Sequence, residues 1–168
     1  MYFPTQYEPH NESLEKFIKI FNNISQEKFD GRIIMDANKK ENYREDGRII
    51  DTLSGKNIYY DWEKRHSYYI DCGFPFATFG QFERKIQKLE ILLSIQCNKL
   101  ETCFIIAWHE DFKRAPKKFI KSKTSNGYEK TPKRFINEFK EFKYSEMEEF
   151  YKVLQRAFDN NIFNHTIF

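Results

Sequence analysis

The chain predicts an α/β protein, a single-domain αβα sandwich around a central mixed β-sheet, and three patterns carry that expectation. Leu14, Phe17, Ile18 and Phe21 recur at i, i+3, i+4 and i+7, the spacing of one helical face. Residues 58–65 instead alternate, with Ile58, Tyr60 and Trp62 on one side and Tyr59, Asp61, Glu63 and Arg65 on the other. The run Thr102-Cys103-Phe104-Ile105-Ile106-Ala107-Trp108 is apolar throughout and rich in β-prone residues, as in a central strand covered on both faces. Helix, several strands, helix, central strand and closing helix are most simply accommodated as layers around one sheet.

Taken in order, the first helix covers roughly Glu12 to Phe21 and stops near Asn22-Asn23. Short strands follow around Arg32 to Met35 and Arg48 to Asp51, separated by a polar loop from Ala37 to Asp46. The alternating strand is succeeded by the Gly/Pro-punctuated piece Asp71-Cys72-Gly73-Phe74-Pro75-Phe76. Phe82, Ile86, Leu89 and Leu93 then share a helical face. Pro116 and Pro132 allow short edge strands but no long helix between them. Ser145 with Glu148 forms a capping box for a last helix whose stripe is Met147, Phe150, Tyr151, Leu154, Ala157 and Phe158.

A chain of 168 residues is long enough to bury about 70% of its unfolded surface as one domain without covalent staples. Cys72, Cys97 and Cys103 are odd in number and lack zinc-site spacing, which suits a reducing cytoplasm better than secretion. No basic segment followed by an apolar one opens the chain, and no apolar run reaches membrane-spanning length, so a soluble, cytoplasmic protein without membrane contact is expected. The net charge of +3 is unevenly spread: eleven Lys and Arg against three Glu give the segment Lys113 to Lys143 a local +8, leaving −5 for the rest. Lys117, Lys118, Lys121 and Lys123 within it are the expected contacts to nucleic-acid phosphates. A Lys-rich solvated surface would read the same way.

The strand from Ile58 carries the chemistry. Its apolar side can enter a core, while Asp61 and Glu63 lie about 6 to 7 Å apart on the other side with Arg65 next in line. Asp51 precedes the Ser54-Gly55-Lys56 turn that could fold it back toward them. Acids, a turn and a further cation are the elements with which proteins hold a divalent ion against a phosphodiester. The same residues would also serve as the wet side of an edge strand, with Glu63 and Arg65 pairing for less than about 1 kcal/mol. Trp62 and Trp108 read as core, Tyr68 and Tyr69 as stacking candidates, and His109 as a polar strand-end residue.

Asp61-Trp62-Glu63-Lys64-Arg65, Phe74-Pro75-Phe76-Ala77-Thr78, Glu83-Arg84-Lys85 and Phe104-Ile105-Ile106-Ala107-Trp108 together resemble the PD-(D/E)xK, or restriction-endonuclease-like, nuclease superfamily, over about 65 residues from Asp46 to Asp111. The resemblance implies a restriction-endonuclease-like fold and a metal-dependent nuclease hydrolysing phosphodiester bonds in DNA. It implies Asp51 and Glu63 as ligands of Mg2+ or Mn2+, with Asp61 auxiliary, and DNA as partner; a homodimer is the expected assembly. Arg65 takes the place of the motif lysine, with Lys85 as a second cation able to reach the site. Arg keeps its proton at any working pH, so it can stabilise phosphate charge but cannot act as a base. The alternative function is therefore an inactive nuclease-fold protein that binds nucleic acid or a protein partner.

Overall fold

The first helix, α1, runs His10–Phe29 in the computed structural model, which describes residues 3–4, 8–38, 46–64, 91–97, 102–108, 119–124, 127–132 and 140–161. It begins directly after Pro9, whose carbonyl accepts from Ser13 N–H at 3.0 Å. The buried stripe of Leu14, Phe17, Ile20 and Phe21 continues through Ser25, so the helix passes the Asn22-Asn23 stop that the sequence suggested. It ends where Asp30 and Gly31 adopt left-handed backbone (φ 52° and 68°) and Gly31 N–H returns to the Ser25 carbonyl. Asn22 is no helix breaker here because its amide is spent on a strand rather than on its own backbone, as described below.

Six strands form the main sheet: β1 (Ile33–Ala37), β2 (Gly47–Asp51), β3 (Asn57–Lys64), β4 (Ile91–Cys97), β5 (Thr102–Trp108) and β8 (Lys140–Lys143), in that spatial order. All neighbours are antiparallel except β3 and β4, so the sheet is mixed. β6 (Phe119–Thr124) and β7 (Gly127–Pro132) make a separate two-stranded antiparallel ribbon. The closing helix, α2, spans Met147–Asn160. The α/β class expected from the sequence is therefore present.

Register puts Ile33, Met35, Ile49, Ile58, Tyr60, Trp62 and Ile91 on one face of the sheet, and all are buried. Both helices close over them. Phe17 lies 4.6 Å from Trp62 between ring centroids, Phe21 lies 5.3 Å from Tyr151, and Phe150 touches Phe17, Phe21 and Phe142. Trp62 and Tyr60 are fully enclosed, as the alternation of β3 required.

Two local expectations change. Leu93 belongs to β4 rather than to a helical face with Phe82, Ile86 and Leu89, which lie outside the described residues. The run Ile91-Leu92-Leu93 pairs with β3 on one side and β5 on the other, and two ladders outweigh a helical spacing whose last member it supplies. At α2 the capping pair is shifted: a 3-10 turn at Tyr144–Glu146 precedes the helix, and Glu146 Oε1 accepts from Lys143 N–H at 2.9 Å. Glu148 instead receives Lys28 Nζ at 2.7 Å, tying α2 to the end of α1.

The outer edge of β1 is closed by side chains. Asn22 donates through Nδ2 to the Met35 carbonyl at 3.0 Å and accepts from Met35 N–H at 2.8 Å. Two residues along, Tyr151 OH accepts from Ile33 N–H at 2.7 Å and donates to Ser25 Oγ at 2.9 Å, while Ser25 donates to the Ile33 carbonyl. Three side chains from two helices thus take the place of a further strand, which removes a template for edge pairing. Among the described residues no helix is long and apolar enough to cross a membrane.

Asn22→Ala should lower the unfolding free energy by roughly 1 to 3 kcal/mol, the cost of stranding a backbone donor and acceptor, whereas exposed Asn23→Ala should be nearly neutral. Urea melts of the two variants side by side make the comparison. Equal effects would mean that the amide does not cap the strand.

Candidate functional site

The β2–β3 hairpin closes on Asp51 and Lys56. Asp51 N–H donates to the Lys56 carbonyl at 2.9 Å, Gly55 N–H donates to the Asp51 carbonyl at 2.8 Å, and Gly55 takes φ 75°. The Asp51 side chain is buried and holds this turn from inside. It accepts from Ser54 Oγ at 2.7 Å, from Leu53 N–H at 3.3 Å and from Arg32 Nε at 3.0 Å. Arg32 also reaches Asp159 on α2. Burial would push the Asp51 carboxyl up, but Arg32, Ser54 and the Leu53 N–H outweigh it and hold the group below its ordinary range.

Asp51 is consequently not assembled with Asp61 and Glu63. Alternation puts it on the Ile49 and Gly47 side of β2, opposite in sense to Asp61 on β3. It also faces Lys56, five residues short of Asp61, a separation of roughly 16 Å along the strand.

The residue that does meet Asp61 is Asp46, one position before β2. The hairpin pairs Gly47 with Tyr60, and Asp46 N–H donates to the Tyr60 carbonyl at 3.0 Å. The same register sets it opposite Asp61, which is fully buried and whose side chain helps to lower the Asp46 carboxyl. Asp46 Oδ2 further accepts from Trp62 N–H at 2.7 Å, and His10, the first residue of α1, sets its Nε2 at 2.8 Å from the Trp62 carbonyl and 3.5 Å from the same Oδ2. Where β2 leaves the ladder, the Asp46 carboxylate and the His10 ring therefore serve both backbone groups of Trp62. Gly47 makes this approach feasible: a Cβ there would lie 2.0 Å from the Asp36 carbonyl oxygen and 2.5 Å from the Tyr60 hydroxyl.

Electrostatics follows from these contacts. Burial works to raise Asp46, but the bonds from His10, Asp61 and the Trp62 N–H bring it below the usual carboxylate value. The bond to Asp46 lifts the His10 imidazole from 6.5 to about 9 against the opposing effect of burial, so it is a cation at neutral pH. Tyr60 OH is raised by its burial and by the carboxylates around it, and donates to the Asp36 carbonyl at 2.8 Å.

Of the other residues singled out by sequence, Asp61 is enclosed rather than wet, and the backbone of Glu63 lies two positions further along β3. β3 is an interior strand, not an edge. Lys121 and Lys123 lie in β6. Arg65, Tyr68, Tyr69, Lys85, His109, Lys117 and Lys118 are outside the described residues. Among the described residues no group of three or more His, Cys, Asp and Glu side chains is gathered to hold a metal ion. Sequence reading passed over His10 and Asp46. Asp46 had a usable signal: a hairpin centred between Leu53 and Ser54 pairs positions summing to 107, which sets 46 against 61 and leaves 51 against 56.

Two pH effects are expected. His10 is raised on folding, so its stabilisation is complete below about pH 6.5 and disappears as pH rises through about 9. The side chain is 38% exposed, and screening limits the effect to about 1 kcal/mol or less. The difference in melting temperature between wild type and His10→Gln should accordingly be present at pH 6 and absent at pH 10, and a difference that persists at pH 10 would show that charge is not its source. Asp51 is depressed, so its contribution is present above its ordinary value near 3.8 and fades as pH falls. Asp51→Asn should cost roughly 1 to 3 kcal/mol at pH 7 and progressively less in acid, read from chemical melts across that range.

Comparison with protein-family models, with curated proteins and with solved structures finds no match for this chain.

Proposed function

We propose that this chain is a metal-dependent nuclease-like protein that hydrolyses phosphodiester bonds in DNA, with its acidic centre at Asp46 and Asp61. One observation carries the reading: the hairpin register sets Asp46, just before β2, opposite the fully buried Asp61 of β3, whose side chain helps to hold the Asp46 carboxyl below its ordinary range. A solvated strand face has no reason to bury an acid against another acid, because the arrangement costs energy unless a proton or a cation sits between them. Support also comes from the mixed sheet, in which an antiparallel meander is followed by a strand parallel to β3. A restriction-endonuclease-like αβα sandwich as a single domain is the finer form of that fold and belongs to this proposal.

Carboxylate oxygens such as those of Asp46 and Asp61 are the ligands that a hard divalent ion, Mg2+ or Mn2+, prefers. Asp46 and Asp61 would hold it, with Glu63 two positions further along β3 as a further carboxylate. Bound there, the ion would supply Lewis-acid stabilisation of phosphate charge and an acidified water. The chain's own residues set up this centre. Trp62 N–H and His10 fix one oxygen of Asp46. Arg65 would add positive charge toward the scissile phosphate without taking a proton.

Asp46→Asn and Asp61→Asn should each abolish Mg2+- or Mn2+-dependent nicking of a supercoiled plasmid, whereas Asp51→Asn should retain it at temperatures where the variant is folded. Cleavage surviving in both Asp46→Asn and Asp61→Asn would overturn the assignment. No cleavage by wild type in either metal, with DNA binding intact, would favour the binding protein instead.

A further inference from the structure

The β6–β7 ribbon has a property that the acidic centre does not use. Its register pairs Phe119 with Pro132, Lys121 with Lys130 and Lys123 with Tyr128 on one face, and Ile120 with Thr131, Ser122 with Glu129 and Thr124 with Gly127 on the other. Every lysine of the ribbon falls on the first face and its one acid on the second. Lys121 and Lys130 stand directly across the ladder, where Cβ atoms come within about 4.5 to 5.5 Å and like charges repel. Lys123 is one strand repeat away on the same side, and Glu129 is on the wrong face to compensate.

A two-stranded ribbon that concentrates three cations on one face is unfavourable alone and favourable against a polyanion, because counterions condensed on the polyanion are released when cations replace them. We propose that the face bearing Lys121, Lys123 and Lys130 lies along the phosphate backbone of a DNA duplex, with Tyr128 and Phe119 interleaved among the cations. The inference rests on the reading of this chain as one that acts on nucleic acid. It names the element that grips the substrate, and adds Lys130 and Tyr128 to the contacts legible in the sequence. Contacts of this kind position a duplex without reading its bases. A ribbon is also narrow enough to follow a major groove about 12 Å wide.

The test separates face from total charge. In an Asp61→Asn background with EDTA present, binding of a short fluorescent DNA duplex is measured across a salt series. Lys121→Gln with Lys130→Gln, and Ser122→Glu with Thr131→Glu, lower the net charge by the same amount on opposite faces. The first pair should reduce the log-log salt slope by up to about 1.8, at about 0.9 per lost contact, and the second pair should change it far less. Lys121→Arg with Lys130→Arg should keep the wild-type slope and shows that substitution itself does not unfold the ribbon. Equal losses from both faces, or no loss from the lysine face, would overturn the proposal. So would tighter binding to poly-glutamate than to the duplex, which would assign the face to an acidic protein. Cleavage plays no part in this measurement, so an inactive acidic centre leaves its outcome readable.

Discussion

The register of the β2–β3 hairpin is the constraint on which the surroundings of the acidic centre depend. It is established at the Asp51 to Lys56 turn, where a buried carboxylate gathers the Ser54 hydroxyl, the Leu53 N–H and the Arg32 guanidinium. Arg32 carries the restraint onward to Asp159, so the turn, the entry to β1 and α2 are joined by one cation. With the register set, Ile49 meets Ile58 under the helices and Gly47 meets Tyr60. A slip by one residue would exchange the two faces of β3, taking Trp62 out of the aromatic core and driving Asp61 into it.

The two ends of this hairpin use acids for opposite purposes. At the turn, Asp51 is matched by a guanidinium that never loses its proton, so the pair is a permanent strut. At the far end, Asp46 is matched by an imidazole, which loses its proton as pH rises through about 9. A site whose charge balance is maintained by protons can trade them for a metal ion, because ligand deprotonation and metal binding are linked. A site neutralised by arginine cannot. The two acids differ here in their partners rather than in the carboxyl group itself.

The edge of β1 shows the same economy at the level of the backbone. Asn22, Ser25 and Tyr151 imitate an additional strand while their helices supply the aromatic cover of the core. At Trp62, Asp46 and His10 do the equivalent for a strand that ends early. In both places side chains finish a ladder that the backbone leaves incomplete, which satisfies buried polar groups without extending the sheet.

Much of the architecture was legible in the chain. The 3.6-residue spacing of Leu14, Phe17 and Phe21 and the period-two alternation of Ile58, Tyr60 and Trp62 directly encode which sides are buried, because burial of apolar area drives the folding of both elements. The strand at Thr102–Trp108 and the closing helix followed for the same reason. The helix end at Asp30 and the cap at Glu146 did not, since both turn on side chains whose partners lie elsewhere: Asn22 finds a strand and Glu148 finds a lysine of α1. The candidate site divides along the same line. Asp61 could be found from its place in the alternation, which is a local property. Its partner was a long-range one. The choice between Asp51 and Asp46 depended on which acid the hairpin sets against it, and His10 enters only because α1 docks its first turn over the end of that ladder. Residue chemistry and period are written along the chain, whereas proximity between a helix start and a strand end 52 positions later exists only after the core has closed.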